Sequence, residues 1–214
     1  MRTSTRWTLA VLALLAALAV GLTLEIVDRR QSERAATSSE PPQRTHRDAD
    51  TPEALAEPRR RAALSPCPAG TGTPGPQRLR GVVVECAADG SDVDVAAALA
   101  GRPVVLNLWA YWCGPCADEL PALQEYQRRV GDAVQVVTVH QDENETAGLL
   151  RMAELGVRLP VLQDGRRSIA AALGVPNVMP ATVVLGRDGS VAQVLPQPFT
   201  SADEVAAAVD AALR

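Results

Sequence analysis

A nearly continuous apolar run, RPVVLNLWAYW at 102–112, leads straight into two cysteines two residues apart, Cys113 and Cys116, in WCGPCADELP. The run reads as a buried parallel strand. From Cys113 to Val130 the spacing is helical, with Leu120, Leu123 and Tyr126 on one side. A strand that empties into C-x-x-C at a helix start puts Cys113 where unpaired N–H groups and the helix macrodipole favour negative charge. That lowers the thiolate pKa, and the thiolate is the nucleophile. Cys116, one turn further in, is placed to attack a mixed disulfide and resolve it. Pro115 suits an early helical position, and Gly114 leaves room for a partner's backbone.

Two other readings compete with a redox pair. A zinc site built from four cysteines needs Cys67 and Cys86 to join, yet these are 19 residues apart and make no second C-x-x-C. An inert staple gains little, because so tight a loop releases less chain entropy than a long one. Cys67 and Cys86 themselves flank a loop that ends in a strand, and in an exported domain they pair to fasten the N-terminal hairpin. A loop of roughly 20 residues closed in this way is worth about 3 kcal/mol in the chain-entropy model. The alternative is a second redox relay, though neither cysteine has a helix-start context.

The rest of the chain alternates strand and helix. LRGVVVEC (79–86) is strand-like, and DVDVAAALAG (92–101) reads as a helix closing at Gly101. AVQVVTVH (133–140) is a second buried strand, followed by a helical stretch at 143–155, a short strand at 159–164 and a helix at 166–174. ATVVLGRDGSVAQVL (181–195) is a hairpin turning at Asp188-Gly189. The last stretch, 201–214, is a helix with Ser201 as N-cap and Glu204 three residues on. This order implies an α/β fold, a mixed central sheet flanked by helices. Aromatics make up only 3% of the chain, so the core rests on Val, Leu and Ala.

Ahead of this domain the pattern differs. Residues 7–24 carry no charge over 18 positions, a span of roughly 27 Å as a helix, with Arg2 and Arg6 before them. Residues 1–27 thus read as a membrane anchor or as a cleaved signal peptide with ALA at 17–19. Residues 28–65 hold no Val, Ile, Phe, Tyr or Trp, and only Leu55 and Leu64 as large aliphatics. They read as a disordered tether of mixed charge, with the folded domain at 66–214. A net charge of −4 argues against nucleic acid as a partner. His46 falls in the tether, and His140, with no second histidine in the folded part, makes a poor metal ligand.

Several separated features carry a family resemblance. NLWAYWCGPCADELP, with Pro121 five residues after Cys116, resembles the thioredoxin superfamily, and 66–214 looks like the membrane-anchored reductases of the TlpA/ResA group. VPNVMPATVVLGRDGSV is similar to that family's cis-proline loop and last hairpin, which makes Pro180 the cis residue. The distance from Cys116 to Pro180 leaves room for a central αβ insertion at about 149–173, typical of this group. The resemblance implies a thioredoxin-like fold with an N-terminal extension. It also implies that Trp112, Gly114, Pro115, Met179 and Pro180 meet the substrate, the backbone of Met179 pairing with an extended segment. Cytosolic thioredoxins carry a buried acid six residues before the first cysteine, where this chain has Asn107. Glu119, three residues after Cys116, offers a substitute proton acceptor. It is otherwise a surface residue of an amphipathic helix.

The expected activity is thiol–disulfide exchange at Cys113 and Cys116 without cofactor or metal. The partners are a disulfide-containing exported protein, a membrane thiol–disulfide electron donor and, through the N-terminal helix, the membrane itself. The resemblance favours reduction, for example of apocytochrome c cysteines before haem attachment. The alternatives are an oxidase that donates its disulfide to exported proteins, and a non-catalytic binding domain on the same fold. The absence of a T-x-x-C motif argues against a peroxiredoxin.

Overall fold

The computed structural model describes residues 50–70 and 72–214. The apolar run at 7–24 and the segment 28–49 lie outside the described residues. Within them no helix is long and apolar enough to cross a membrane.

The elements are α1 (Pro52–Ala62), β1 (Val83–Cys86), β2 (Asp92–Asp94), α2 (Val95–Ala98), β3 (Val104–Trp109), α3 (Gly114–Val130), β4 (Gln135–His140), α4 (Glu145–Leu155), β5 (Val161–Gln163), α5 (Ser168–Leu173), β6 (Ala181–Leu185), β7 (Val191–Leu195) and α6 (Ala202–Ala212). The strands form one sheet in the order β2-β1-β5-β4-β3-β6-β7. The pairs β3–β4 and β4–β5 are parallel, as helical crossovers require. β6 runs antiparallel to β3, and the β6–β7 hairpin closes that edge. This is the mixed, helix-flanked sheet of a thioredoxin-like fold.

β3 lies at the centre and is buried at all six positions, which is why its sequence does not alternate. Its side chains still divide between two core layers. Val105 and Trp109 join Leu120, Leu123 and Tyr126 of α3 and Val205 and Val209 of α6. Val104, Leu106 and Leu108 join Leu99, Ile169 and Leu173 on the other face. Asn107 falls on the α3 side by the same period of two. Register sets it beside Thr138 of β4 and Thr182 of β6, a polar row across three buried strands.

Two expectations need correction. The tether at 28–65 does not extend to 65, because Pro52–Ala62 is helical. Thr51 caps it by accepting the Ala54 N–H at 3.2 Å, and Pro52 occupies the first turn. Its buried face is narrow, Leu55, Pro58 and Ala62, and it packs on α4. Arg59 adds ion pairs to Glu85 at 2.5 Å and Glu145 at 3.0 Å. One fully buried leucine, worth about 2 kcal/mol, and a half-buried bridging arginine dock a segment whose composition alone reads as solvated. The second correction concerns 92–101. Its first residues, Asp92–Asp94, form β2 against β1, with Val93 opposite Val84, and only four residues of helix follow. Asp94 caps that turn through the Ala97 N–H at 3.1 Å.

Candidate active site

β3 delivers the chain to the site. After Trp109 the backbone turns, with the Cys113 N–H donating to the Ala110 carbonyl at 3.0 Å. Cys113 then stands as the N-cap of α3, in extended conformation at φ −83 and ψ 106. Its Sγ accepts the N–H of Cys116 at 3.2 Å. A sulfur in this position sits at the positive end of a 17-residue helix and takes up one of its orphan donors. Both effects favour the thiolate of Cys113 in the dithiol state.

The two sulfurs are bonded, with the Cα atoms 5.3 Å apart. Cys116 is fully buried and Cys113 is 6% exposed, beside Trp112 at 52%. Gly114 and Pro115 are exposed, and a Cβ added at Gly114 would meet nothing within 4 Å. An attacking thiol can therefore reach Cys113 over a rim formed by Trp112, Gly114 and Pro115. Met179 packs against the core cluster that holds Cys113 and Cys116. The Met179–Pro180 bond is cis. The fold thus gathers Trp112, Cys113, Gly114, Pro115 and Cys116 at the head of α3 and places Met179 on the same cluster.

Glu119 lies in the interior rather than on the solvent face of α3. It is fully buried, and its Oε2 accepts a hydrogen bond from the Asn107 amide at 2.8 Å. The same amide nitrogen donates to the Thr182 hydroxyl at 3.1 Å. Burial pushes the Glu119 carboxyl up to about 7, and the Asn107 hydrogen bond pulls only partly the other way. Among the described residues Asn107 Oδ1 and Glu119 Oε1 make no hydrogen bond of ordinary geometry, although the Phe199 backbone also pulls the Glu119 carboxyl down. A buried carboxyl poised at neutral pH is suited to take or give a proton.

Cys67 and Cys86 form the second disulfide, with Cα atoms 5.9 Å apart. Cys86 packs in the core layer on the face of the sheet opposite Cys113 and Cys116, so the four cysteines do not converge. This bond ties the segment after α1 to β1.

Sequence reasoning gave no role to His140, Gln163 or Asp142. His140 is buried at the end of β4, with Nδ1 2.8 Å from Gln163 Oε1 and Nε2 3.4 Å from the Tyr111 nitrogen. The Trp112 indole N–H donates to the Asp142 carboxylate at 2.9 Å. The sequence signal was a histidine closing a strand rich in valine.

The Redoxin family model matches residues 65–211. Among curated proteins, the thiol-disulfide oxidoreductase ResA of Bacillus subtilis is 32% identical over 103 residues, 48% of this chain and 57% of its own length. The thioredoxin of Bacillus subtilis is 41% identical over 63 residues, 29% of this chain and 60% of its own. The chain therefore spans little more than half the length of these relatives. Among solved structures, a secreted Mycobacterium tuberculosis disulfide oxidoreductase homologous to E. coli DsbE superposes with TM-score 0.55 at 27% identity, covering 63% of this chain and 98% of that one. A DsbF homologue from Corynebacterium diphtheriae gives TM-score 0.55 at 26% identity, over 66% and 88%. With the family model spanning the whole sheet and the cysteine pair at the head of α3, the chain belongs to the Redoxin family, within the thioredoxin superfamily.

Proposed function

We propose that this protein is a thiol–disulfide oxidoreductase that works outside the cytoplasm and reduces disulfides of exported proteins. One observation carries the reading: Cys113 Sγ caps α3 and accepts the Cys116 N–H, beside an exposed Trp112.

In the dithiol state the Cys113 thiolate attacks one sulfur of a substrate disulfide. The substrate S–S bond breaks, a Cys113–substrate bond forms, and the first substrate sulfur leaves as a thiolate. Glu119 accepts the proton of the Cys116 thiol. The Cys116 thiolate then attacks Cys113 Sγ and expels the second substrate sulfur, leaving the Cys113–Cys116 disulfide. Two electrons pass to the substrate, and a membrane thiol donor returns them. Trp112, Gly114, Pro115, Met179 and Pro180 hold the substrate segment, and Cys67–Cys86 is structural.

Residues 1–27 serve as a single-pass anchor, or as a signal that is removed, and the tether ends ahead of α1. Resemblance to ResA, a name shared by the relative above, favours substrates such as apocytochrome c.

The reduction potential of Cys113/Cys116, measured on the full chain with Cys67 and Cys86 replaced by alanine, tests the direction. Reference values are about −270 mV for thioredoxin and −120 mV for DsbA. A value near the first supports the reductase. One near the second makes the protein an oxidant of exported proteins, and an unreactive reduced Cys113 leaves only a binding module.

A further inference from the structure

The imidazole of His140 takes no part in the chemistry above, yet the fold makes room for it and fixes its proton. The ring lies 4.8 Å from the Trp109 ring and 6.1 Å from that of Tyr111, centroid to centroid. On the helix side it faces Gly148, in the interior of α4. A Cβ there would fall 2.8 Å from His140 Cε1 and 2.9 Å from Nδ1. Glycine is unfavourable in a helix interior, and here it admits the ring.

The hydrogen bonds then assign the tautomer. Gln163 Nε2 donates to the Asp142 carbonyl at 2.6 Å, so its Oε1 is the atom turned to His140. That oxygen can only accept, so Nδ1 carries the proton. A neutral imidazole has one N–H, which leaves Nε2 as a bare lone pair facing the Tyr111 N–H at 3.4 Å. Tyr111 is two residues before Cys113, and its neighbour Trp112 is held by the Asp142 side chain at 2.9 Å. Both residues ahead of the reactive cysteine are therefore held from the β4–β5 side.

We propose that neutral His140 is a positioning residue for Cys113, holding the Tyr111 backbone through its Nε2 lone pair and releasing it when the ring takes up a second proton. The proposal rests on Cys113 being the reacting thiol. Imidazolium has no lone pair at Nε2, so it presents an N–H to the Tyr111 N–H and repels it.

The charged and titratable groups around the ring are Asp142 after β4 and Asp50 ahead of α1, Glu145 of α4 with Arg59 of α1 upon it, the Tyr111 phenol and Asp164 after β5. The Asp164 backbone N–H donates to the His140 carbonyl, while its carboxylate turns to the Ser168 and Ile169 N–H groups. Strands β3 and β5 contribute none. Burial holds His140 below its usual 6.5, outweighing the Gln163 hydrogen bond and the charges of Asp142 and Asp50, which favour the cation. The ring is thus neutral near pH 7, and release falls on the acid side.

The test needs two readouts on the full chain. Nitrogen NMR of labelled His140 reports the tautomer, and the Tyr111 amide reports release. We expect Nε2 in the unprotonated range at pH 8 and a Tyr111 amide shift that follows the ring's inflection on acidification. Rate constants of the reduced chain with dithionitrobenzoate over pH 4–8 give the second readout. H140L is expected to slow the reaction about fivefold at pH 8, the scale of one lost hydrogen bond. H140Q, whose amide oxygen supplies an acceptor that does not titrate, recovers most of that rate and loses the extra acid fall-off of the wild type. A proton on Nε2 at pH 8, a Tyr111 amide blind to the ring, or wild-type and H140Q profiles that run parallel overturns the proposal. A reduced chain inert at every pH, with the Tyr111 amide still following the ring, overturns the oxidoreductase reading and upholds the His140–Tyr111 coupling. The NMR arm uses the unmutated protein, so it decides even where a variant fails to fold.

Discussion

Replacing Glu119 by glutamine should make the protein more stable at pH 8 and leave it unchanged at pH 4. The native carboxyl is raised from 4.5 to about 7, so folding binds a proton between those values. Because the folded-state value is the higher one, stability is fully present below pH 4.5, falls through the window and levels off above pH 7. A shift of that size at 1.36 kcal/mol per unit is about 3 kcal/mol, and Glu119 is fully buried, so solvent screening takes little from it. Glutamine keeps the shape and an amide oxygen to accept from Asn107, but does not ionise. Glu145 is also raised to about 7, by burial first and by Glu85 next, so the wild-type slope contains both groups. The difference between wild type and E119Q isolates Glu119. Urea unfolding of the oxidised protein at half-unit steps from pH 4 to 8, with constant m-values, measures it. The two curves should coincide near pH 4 and separate to about 3 kcal/mol by pH 8. Curves that stay parallel would refute the placement of an ionisable, unscreened carboxyl at position 119.

Cys116→Ser leaves Cys113 able to attack but removes the resolving thiol. A covalent adduct with protein disulfides should therefore accumulate, visible on non-reducing gels and absent from Cys113→Ser. Arg59→Met removes the partner of Glu145 at 3.0 Å. We expect a loss of about 3 kcal/mol at pH 8 that shrinks below pH 5, where Glu145 is neutral, read by urea unfolding at both values. Replacing Cys67 and Cys86 together by serine opens the 19-residue separation and should cost about 3 kcal/mol in unfolding free energy while the Cys113/Cys116 potential stays in place. Asn107→Asp sets a second carboxyl against Glu119, and one proton shared between the two should split the Glu119 inflection near 7 into two, followed by carbon NMR of the Glu119 carboxyl.

What the sequence made legible was whatever periodicity and local chemistry encode. The unbroken apolar run of β3, the helical spacing of Leu120, Leu123 and Tyr126, and the Asp188-Gly189 turn each specify an element without help from elsewhere. Ser201 caps α6 through the Glu204 N–H at 3.3 Å. Glu204 reaches the backbone and hydroxyl of Thr200, a contact one residue further back that local sequence does not distinguish. The failures share a cause. α1 holds through Leu55 against α4 and through Arg59 against Glu85, 26 residues away. β2 exists because Val84 faces Val93 across a turn. Neither contact leaves a mark in the composition of its own segment.

The site divides along the same line, and the division explains why Glu119 looked ambiguous. Its spacing from Cys116 puts it one turn further along α3, which is equally true of a surface glutamate. What decides its fate is the strand beneath. Asn107 faces α3 because β3 alternates, and Thr182 stands beside it because β6 pairs in that register. A neutral amide at 107 can donate to a carboxylate arriving from the helix, where an aspartate at 107 would repel it. The asparagine that departs from the cytosolic thioredoxin pattern is therefore not a lost acid. The buried carboxyl is still there, supplied by the helix that carries the cysteines rather than by the strand before them, and its ionisation and the placement of Cys116 are tied to one rigid element.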